Sequence, residues 1–380
     1  MSNQKTKLRL HTFLRTLTPL HISSGQTGTF DVTNNRVYMG ERIISEGSAT
    51  TCALVQTIAY LAPGEESGVA NVPVIMANNI MGRLRRHAAA LVLGIVQSKG
   101  QTISPGTYSA LACGASSGNP DSSVPTFDQL RTSMAHPYLG LFGGGPKLMR
   151  RYARMLNNPV PYTSVTAQSF KGIEHPNFDP LIHAVPISTE KFLTRGVLRN
   201  RMDDLTSLSD IALASATITD FENAIRERAS AIAGNKAAKA ETGTSERQTT
   251  RSFTALQYVI PNVIFPLSWS LEVTPAQLGL FLLALDSFAA DEELGGQGRN
   301  GFGRFNLFDM VLTDNTNQPI ASSLLLDNKL NRDLPEVAQA IAAWEEAALD
   351  ITGNSLNDLF ANEVIDKSAG KGKRAAKEAA

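Results

Sequence analysis

The chain has 380 residues, and its 35 lysines and arginines are balanced by 35 aspartates and glutamates. That length can bury a full core in one elaborated domain or two, and the even balance excludes whole-molecule attraction to nucleic acid or to an anionic membrane. Two cysteines, Cys52 and Cys113, are too few for a disulfide scaffold or a zinc cluster and suit a reducing compartment, so the expected location is cytoplasmic. The first ten residues are polar and basic with no apolar core behind them, and no apolar run reaches membrane-spanning length. Neither a secretory signal nor a membrane partner is therefore expected.

Lys7 to Leu20 carries Leu8, Leu10, Phe13 and Leu17 in loose alternation and reads as a first strand, closed by the turn Pro19-Leu20-His21-Ile22-Ser23-Ser24-Gly25. His21 is a candidate donor there, at a place where a histidine also serves as an ordinary structural residue. From Gly28 to Gly47 a loop holding Asp31 leads to a short strand or hairpin at Arg36-Val37-Tyr38-Met39, and Ser48 to Leu61 adds a helix or a strand. Val72-Pro73-Val74-Ile75 is extended, because proline and the residue before it disfavour helix. Asn78 to Val96 is the clearest amphipathic helix, with Ile80, Leu84, Ala88, Leu91 and Ile95 on one face. Asn78 and Asn79 stand where a side chain can cap free amides. Arg83 and Arg86 lie off the apolar face, with Arg85 between them.

Thr102 to Pro125 is rich in Gly, Ser and Pro and reads as an irregular connection, followed by a short helical piece over Phe127 to Ser133. The glycines of Leu139-Gly140-Leu141-Phe142-Gly143-Gly144-Gly145 argue for close backbone packing at a helix–loop junction. Lys147 to Arg154 is a basic island that includes Lys147, Arg150 and Arg151. Thr163 to Asp210 is too sparsely apolar for core and long for a plain loop, and it reads as a projecting arm with Lys191, Arg195, Arg199 and Arg201 near its end. Thr219 to Ala240 favours helix. Phe253 to Val273 returns to strand, interrupted by Pro261 and Pro266. Thr274-Pro275 opens a helix with a threonine cap and proline in the first turn, and Leu278, Leu282, Leu285 and Phe288 face its core. Phe305 to Leu312 is a strand, Asp314 to Pro319 a turn, and Leu334 to Ala348 a helix around Val337, Ile341 and Trp344. The residues from Lys367 onward are expected to be a disordered basic tail.

Between the last two core elements lies Gly295-Gly296-Gln297-Gly298-Arg299-Asn300-Gly301-Phe302-Gly303-Arg304, with five glycines in ten positions. Glycines allow backbone amides to approach a partner, and the guanidinium groups of Arg299 and Arg304 match phosphate geometry. The loop lacks the Gly-Lys-Ser/Thr ending of a nucleotide-hydrolase phosphate loop. It also follows a helix and precedes a strand, which is the reverse of a dinucleotide fingerprint. It therefore reads as a clamp on a polyanionic backbone, or else as a glycine-cornered hairpin with surface arginines. No histidine pair has metal-ligand spacing, no nucleophile elbow occurs, and neither cysteine sits beside a base, so no metal and no cofactor are expected. Without its insertions the element order is β-α-β-β-α-β, the ferredoxin or RNA-recognition layer of an α+β protein.

Four pieces carry a resemblance to a known family. They are Pro19-Leu20-His21-Ile22-Ser23-Ser24-Gly25, then Val74-Ile75 leading to Met81-Gly82-Arg83-Leu84-Arg85, then Leu141-Phe142-Gly143, and Gly298-Arg299-Asn300-Gly301-Phe302-Gly303-Arg304-Phe305. In this order, over about 300 residues, the chain resembles the RAMP-superfamily backbone subunits of CRISPR effector complexes, and most nearly the type IV backbone subunit. The resemblance implies a modified RNA-recognition palm with large inserted fingers and a thumb. The palm's first half would span residues 1–162, the thumb 163–252, the palm's second half 253–366 and the tail 367–380. It implies binding of guide RNA (crRNA), helical assembly with copies of itself and other effector subunits, and presentation of the guide to target DNA or RNA. His21, Asn79, Arg83, Arg85, Arg86, Lys147, Arg150, Arg151, Gln297, Arg299 and Arg304 would line the RNA groove, and Lys191, Arg195, Arg199 and Arg201 would lie on the thumb.

Type III relatives place a cleaving aspartate after the first strand. Asp31 is the weak counterpart here, since its neighbours match poorly. A non-catalytic binder is thus the leading expectation. A target-RNA endonuclease acting through Asp31, and an oligomer-forming structural protein without nucleic acid, stand as alternatives.

Overall fold

In the computed structural model the described residues are 5–31, 36–38, 49–61, 69–114, 127–143, 153–163, 166, 170, 193–201, 223, 251–291 and 293–360. The first strands in chain order are β1 (Thr6–Thr16), β2 (Ser23–Asp31), β3 (Arg36–Tyr38), β4 (Ala49–Val55), β5 (Thr57–Leu61) and β6 (Val69–Pro73). Helices α1 (Ala77–Ser98), α2 (Pro105–Cys113), α3 (Phe127–Ala135) and α4 (Pro137–Phe142) follow, then strands β7 (Ala153–Met155), β8 (Leu193–Arg201), β9 (Arg251–Val259) and β10 (Ile264–Val273). The remainder is α5 (Pro275–Asp291), β11 (Phe305–Asp314), β12 (Pro319–Ser322), β13 (Leu325–Leu326), β14 (Lys329–Leu330), α6 (Pro335–Ala348) and α7 (Gly353–Phe360).

The chain divides into two units, one from residues 1–22, 56–193 and 259–380, the other from 23–55 and 194–258. In the first unit a five-stranded sheet runs β12-β11-β1-β10-β7, and every pairing is antiparallel. Taking β1, β7, β10 and β11 as first to fourth strands, with α1 after the first and α5 after the third, gives spatial order 4-1-3-2. That is the ferredoxin-like arrangement, with β12 added at one edge. The fold is α+β, as the element order implied.

Strand β1 sits at the centre because it can be buried on both sides. Leu8, Leu10 and Leu14 face the helices, while His11 and Phe13 are also buried on the opposite face. The His11 ring Nδ1 lies 2.9 Å from the Ser268 hydroxyl, and Phe13 stacks obliquely on Phe308.

Helix α5 is buried almost all round, including Leu280, Phe281, Leu282, Ala284, Leu285 and Phe288. Its core face is therefore wider than the single stripe read from the sequence. Phe281 meets Trp269 of β10 edge to face and stacks on Phe142 of α4, and Phe288 packs against Phe305 of β11. Five aromatic rings, two on the helix and three packed against it, are buried here, and each removes about 150–250 Å² from water. At Gly279 a Cβ would stand 2.1 Å from the Ala340 carbonyl oxygen, so α5 and α6 meet backbone to backbone.

Thr274 and Gln277 form a reciprocal cap at the start of α5. The Thr274 hydroxyl accepts from the Gln277 amide and the Gln277 side chain accepts from the Thr274 amide. The expected cap of α1 is different. Met76 is its N-cap without a side-chain bond, Asn78 and Asn79 fall inside the first turn, and the Asn158 side chain accepts from the Ala77 amide. The buried stripe of α1 is Ile80, Leu84, Ala88, Val92 and Val96, so Leu91 and Ile95 are only half-buried. The helix packs on α5 along one side and on α2 and α4 along another, which turns the stripe by one residue.

The expected irregular stretch after Thr102 contains α2, opened by Ser104 accepting from Thr107 with proline in the first turn and closed by left-handed Gly114. Pro261 does break the strand, but Pro266 lies within β10 opposite Phe13. The β7 ladder spans only Trp269 to Leu271, so Pro266 has no ladder partner on that side, and the Asn157 side chain donates to its carbonyl instead.

The second unit is the sheet β3-β2-β4-β9-β8, in which β4 and β9 run parallel. Residues 28–31, expected in a loop, finish β2, and 49–61 form two strands. The arm around Arg195, Arg199 and Arg201 is strand β8 of this sheet, joined by 23–55 as well as 251–258. The expected helix over 219–240, apart from residue 223, and the tail 367–380 lie outside the described residues.

Candidate nucleic-acid interface

Helix α5 ends at Asp291, and the chain then closes a loop on itself. Glu293 bridges Arg304, and the Leu294 amide donates to the Gly303 carbonyl at 2.9 Å. The loop is also fastened along the segment leaving β1. Gly303 donates to the Pro19 carbonyl at 2.8 Å, Gly296 to the His21 carbonyl at 2.9 Å, and Leu17 to the Arg304 carbonyl at 2.8 Å. The Thr18 hydroxyl accepts from the Arg304 amide at 2.9 Å. At the tip Gln297 takes a left-handed conformation and starts a 3-10 turn over Gly298–Asn300, and the Asn300 amide group donates to the Gln297 side chain at 2.7 Å.

Three of the five glycines, Gly295, Gly298 and Gly303, make room for close packing. At Gly295, with φ of 82°, a Cβ would stand 2.5 Å from the His21 carbonyl oxygen, and at Gly303, with φ of 87°, 2.1 Å from that of Leu294. The amides of Gly296, Gly301 and Gly303 are already bonded within the protein, so the reading of this loop as a set of amides offered to phosphate is corrected. What the loop presents is side chains. Arg299 and Arg304 are exposed, with Gln297 and Asn300 beside them. A guanidinium held on a backbone fixed from both sides has less freedom to lose when it meets a phosphate.

His21 belongs to this assembly through its backbone, and its side chain is buried. Arg83 reaches Asp291 at 3.6 Å, two residues before the loop closes, and His87 approaches the same carboxylate at 3.7 Å while its Nδ1 meets the Ser287 hydroxyl. Burial holds the His87 pKa below the ordinary value, with Arg83 and Arg86 adding to the effect and Asp291 opposing it. Arg83 is thus partly neutralised, whereas Arg86 and Asn79 are exposed.

Arg85 is elsewhere. It is buried, donates to the Phe142 carbonyl and packs where Gly114 leaves room, so it joins α1, α2 and α4 and is removed from the groove set. Lys147, Arg150, Arg151 and Lys191 lie outside the described residues. Asp31 ends β2 in the second unit, whereas His21 belongs to the first.

Sequence reasoning missed Arg15, whose guanidinium lies 4.7 Å from the Phe308 ring centre, and which is paired with Asn306 next to the loop's exit. The alternation Leu14 inward, Arg15 outward was the available signal. Among the described residues no group of three histidine, cysteine, aspartate or glutamate side chains could hold a metal ion, and no helix is long and apolar enough to cross a membrane.

The first unit is a ferredoxin-like α+β core that carries an anchored, arginine-bearing loop at the end of its central strand. No known family matches the chain, and no curated protein matches it. Among solved structures it is similar to a chain of a type IV-B CRISPR complex, at 13% identity and a TM-score of 0.42, over 80% of this chain and 90% of that one. It is also similar to a chain of a type III-B Cmr-beta complex bound to cognate target RNA, at 10% identity and a TM-score of 0.32, over 82% of this chain and 62% of that one.

Proposed function

We propose that this chain is a non-catalytic, guide-RNA-binding backbone subunit of a type IV CRISPR effector, assembling with copies of itself along the guide and presenting it for pairing with a target. The observation that carries the proposal is the Gly295–Arg304 loop, held on the exit of β1 by backbone bonds on both sides and exposing Arg299 and Arg304. The quoted sequence pieces support it: the turn after the first strand and the glycine loop, far apart in sequence, are bonded to each other. Arginines fixed this way contact phosphates without reading bases, and sequence is left to base pairing.

The test is filter binding of unrelated single-stranded RNAs to the full chain and to Arg299→Ala/Arg304→Ala across a salt series. The variant should bind all sequences more weakly, and the slope of log affinity against log salt should fall by about 1.4, since each single-strand phosphate contact contributes about 0.7. An unchanged slope removes the loop from the RNA groove.

A further inference from the structure

At the other end of α5 from the arginine loop lies an open groove of about 710 Å³. Its apolar floor includes Ala276, Ala347 and Ile351, and Asp128, Asp350 and Asp358 stand around it. Asp350 and Asp358 are exposed and have no ion-pair partner among the described residues, while Asp128 reaches Arg131 at 3.3 Å. Two of the three acids follow large exposed apolar side chains, Phe127 at 82% and Leu349 at 73% exposure, the highest among the large exposed hydrophobics of the described residues. An apolar groove with a carboxylate rim suits a segment that alternates cations with small residues.

We infer that the groove is the docking site of the chain's own basic segment 367–380, Lys-Ser-Ala-Gly-Lys-Gly-Lys-Arg-Ala-Ala-Lys-Glu-Ala-Ala, which lies outside the described residues. Charge complementarity favours this occupant, because the segment holds five cations, Lys367, Lys371, Lys373, Arg374 and Lys377, against one acid, Glu378. Position favours it as well. Asp358 and Leu359 line the groove themselves, and α7 ends at Phe360. Residues 361–366 then span up to about 20 Å, enough to bring Lys367 back over the rim. The alanines and glycines between the cations fit the shallow floor without demanding a deep pocket. Helix α5 has 17 residues and is about 25 Å long, so a segment held at its start is kept away from the arginine loop beyond its end. The docked segment's five cations are withheld from indiscriminate contact with phosphates.

The test is limited trypsin digestion of the full chain at low salt, with release of peptides after Lys367, Lys371 and Lys373 followed by mass spectrometry, alongside Asp350→Asn/Asp358→Asn. Both substitutions are at exposed positions, and an unchanged circular dichroism spectrum confirms the fold. Cleavage should be slow in the parent and about fivefold faster in the double variant, the scale of two exposed ion pairs. Raising salt to about 300 mM should speed the parent toward the variant, as the screening length shrinks. Equal rates in parent and variant overturn the inference. Protection that disappears on dilution, together with sedimentation as dimers at high concentration, also overturns it by placing the segment in another copy's groove.

Discussion

Replacing Gly303 by alanine isolates the anchoring of the arginine loop, and Gly301→Ala is its control. Both glycines have positive φ, 87° and 76°, so alanine at either position carries the left-handed penalty of roughly 1–2 kcal/mol. Only at Gly303 does the new Cβ also meet backbone, 2.1 Å from the Leu294 carbonyl oxygen, whereas at Gly301 nothing lies within 4 Å. Relief at 303 requires moving residues 293–294 away, which breaks the Leu294-to-Gly303 bond and disturbs the Gly303-to-Pro19 bond. Two net hydrogen bonds at about 1 kcal/mol each add about 2 kcal/mol, equivalent to about 30-fold in a local opening equilibrium. Hydrogen exchange read on peptides covering Leu294–Gly303 should show protection about 30-fold lower in Gly303→Ala than in Gly301→Ala. Similar protection in the two variants would refute the claim that the loop is a fixed platform.

Gly279→Ala should destabilise the first unit by about 1–3 kcal/mol in urea titration, because its Cβ enters the α5–α6 contact 2.1 Å from the Ala340 carbonyl oxygen. Phe281→Ala should cost about 3–5 kcal/mol by the same measurement, since it removes the ring between Trp269 and Phe142. His136 caps α4 by accepting from Tyr138 and Leu139, its Nε2 is buried, and burial lowers its pKa from 6.5 to about 4. The unfolded chain binds more protons between those values, so this stability is present above about pH 6.5 and is lost as pH falls toward 4. His136→Asn should flatten that acid limb of stability against pH, as followed by circular dichroism. Asp291→Asn should lower the His87 pKa further in an NMR titration, because Asp291 is the one contact that raises it.

The ferredoxin-like core was legible because its signals are local. Alternation marked β1 and β11, a threonine–proline start marked α5, and apolar spacing marked α1. A comparable serine–proline start opened α2 at Ser104-Pro105, but the glycine and serine around it concealed it. The division into two units was hidden because β4 pairs with β9, about two hundred residues later, and a strand's own alternation does not name its partner. At the loop, composition identified the place and the outward arginines. It could not tell glycines that expose amides from glycines that make room, because that depends on the His21 and Leu294 carbonyls lying opposite. Arg85 looked like its neighbours in sequence, and only the arrival of Phe142 and Gly114 around it makes it a core residue.

The central position of β1 has a consequence for how the protein is made. Its two neighbours are β10 and β11, so Thr6 pairs with Val273 and Leu8 with Asp314. At about 5–20 residues per second on the ribosome, a strand with the apolar face Leu8, Leu10 and Leu14 waits on the order of ten seconds or more for either partner. High contact order of this kind slows folding and leaves nascent chains in need of protection. A circular permutant beginning at Ile264, which delivers β10, α5 and β11 before β1, should shorten that exposure and give more soluble protein from the same synthesis.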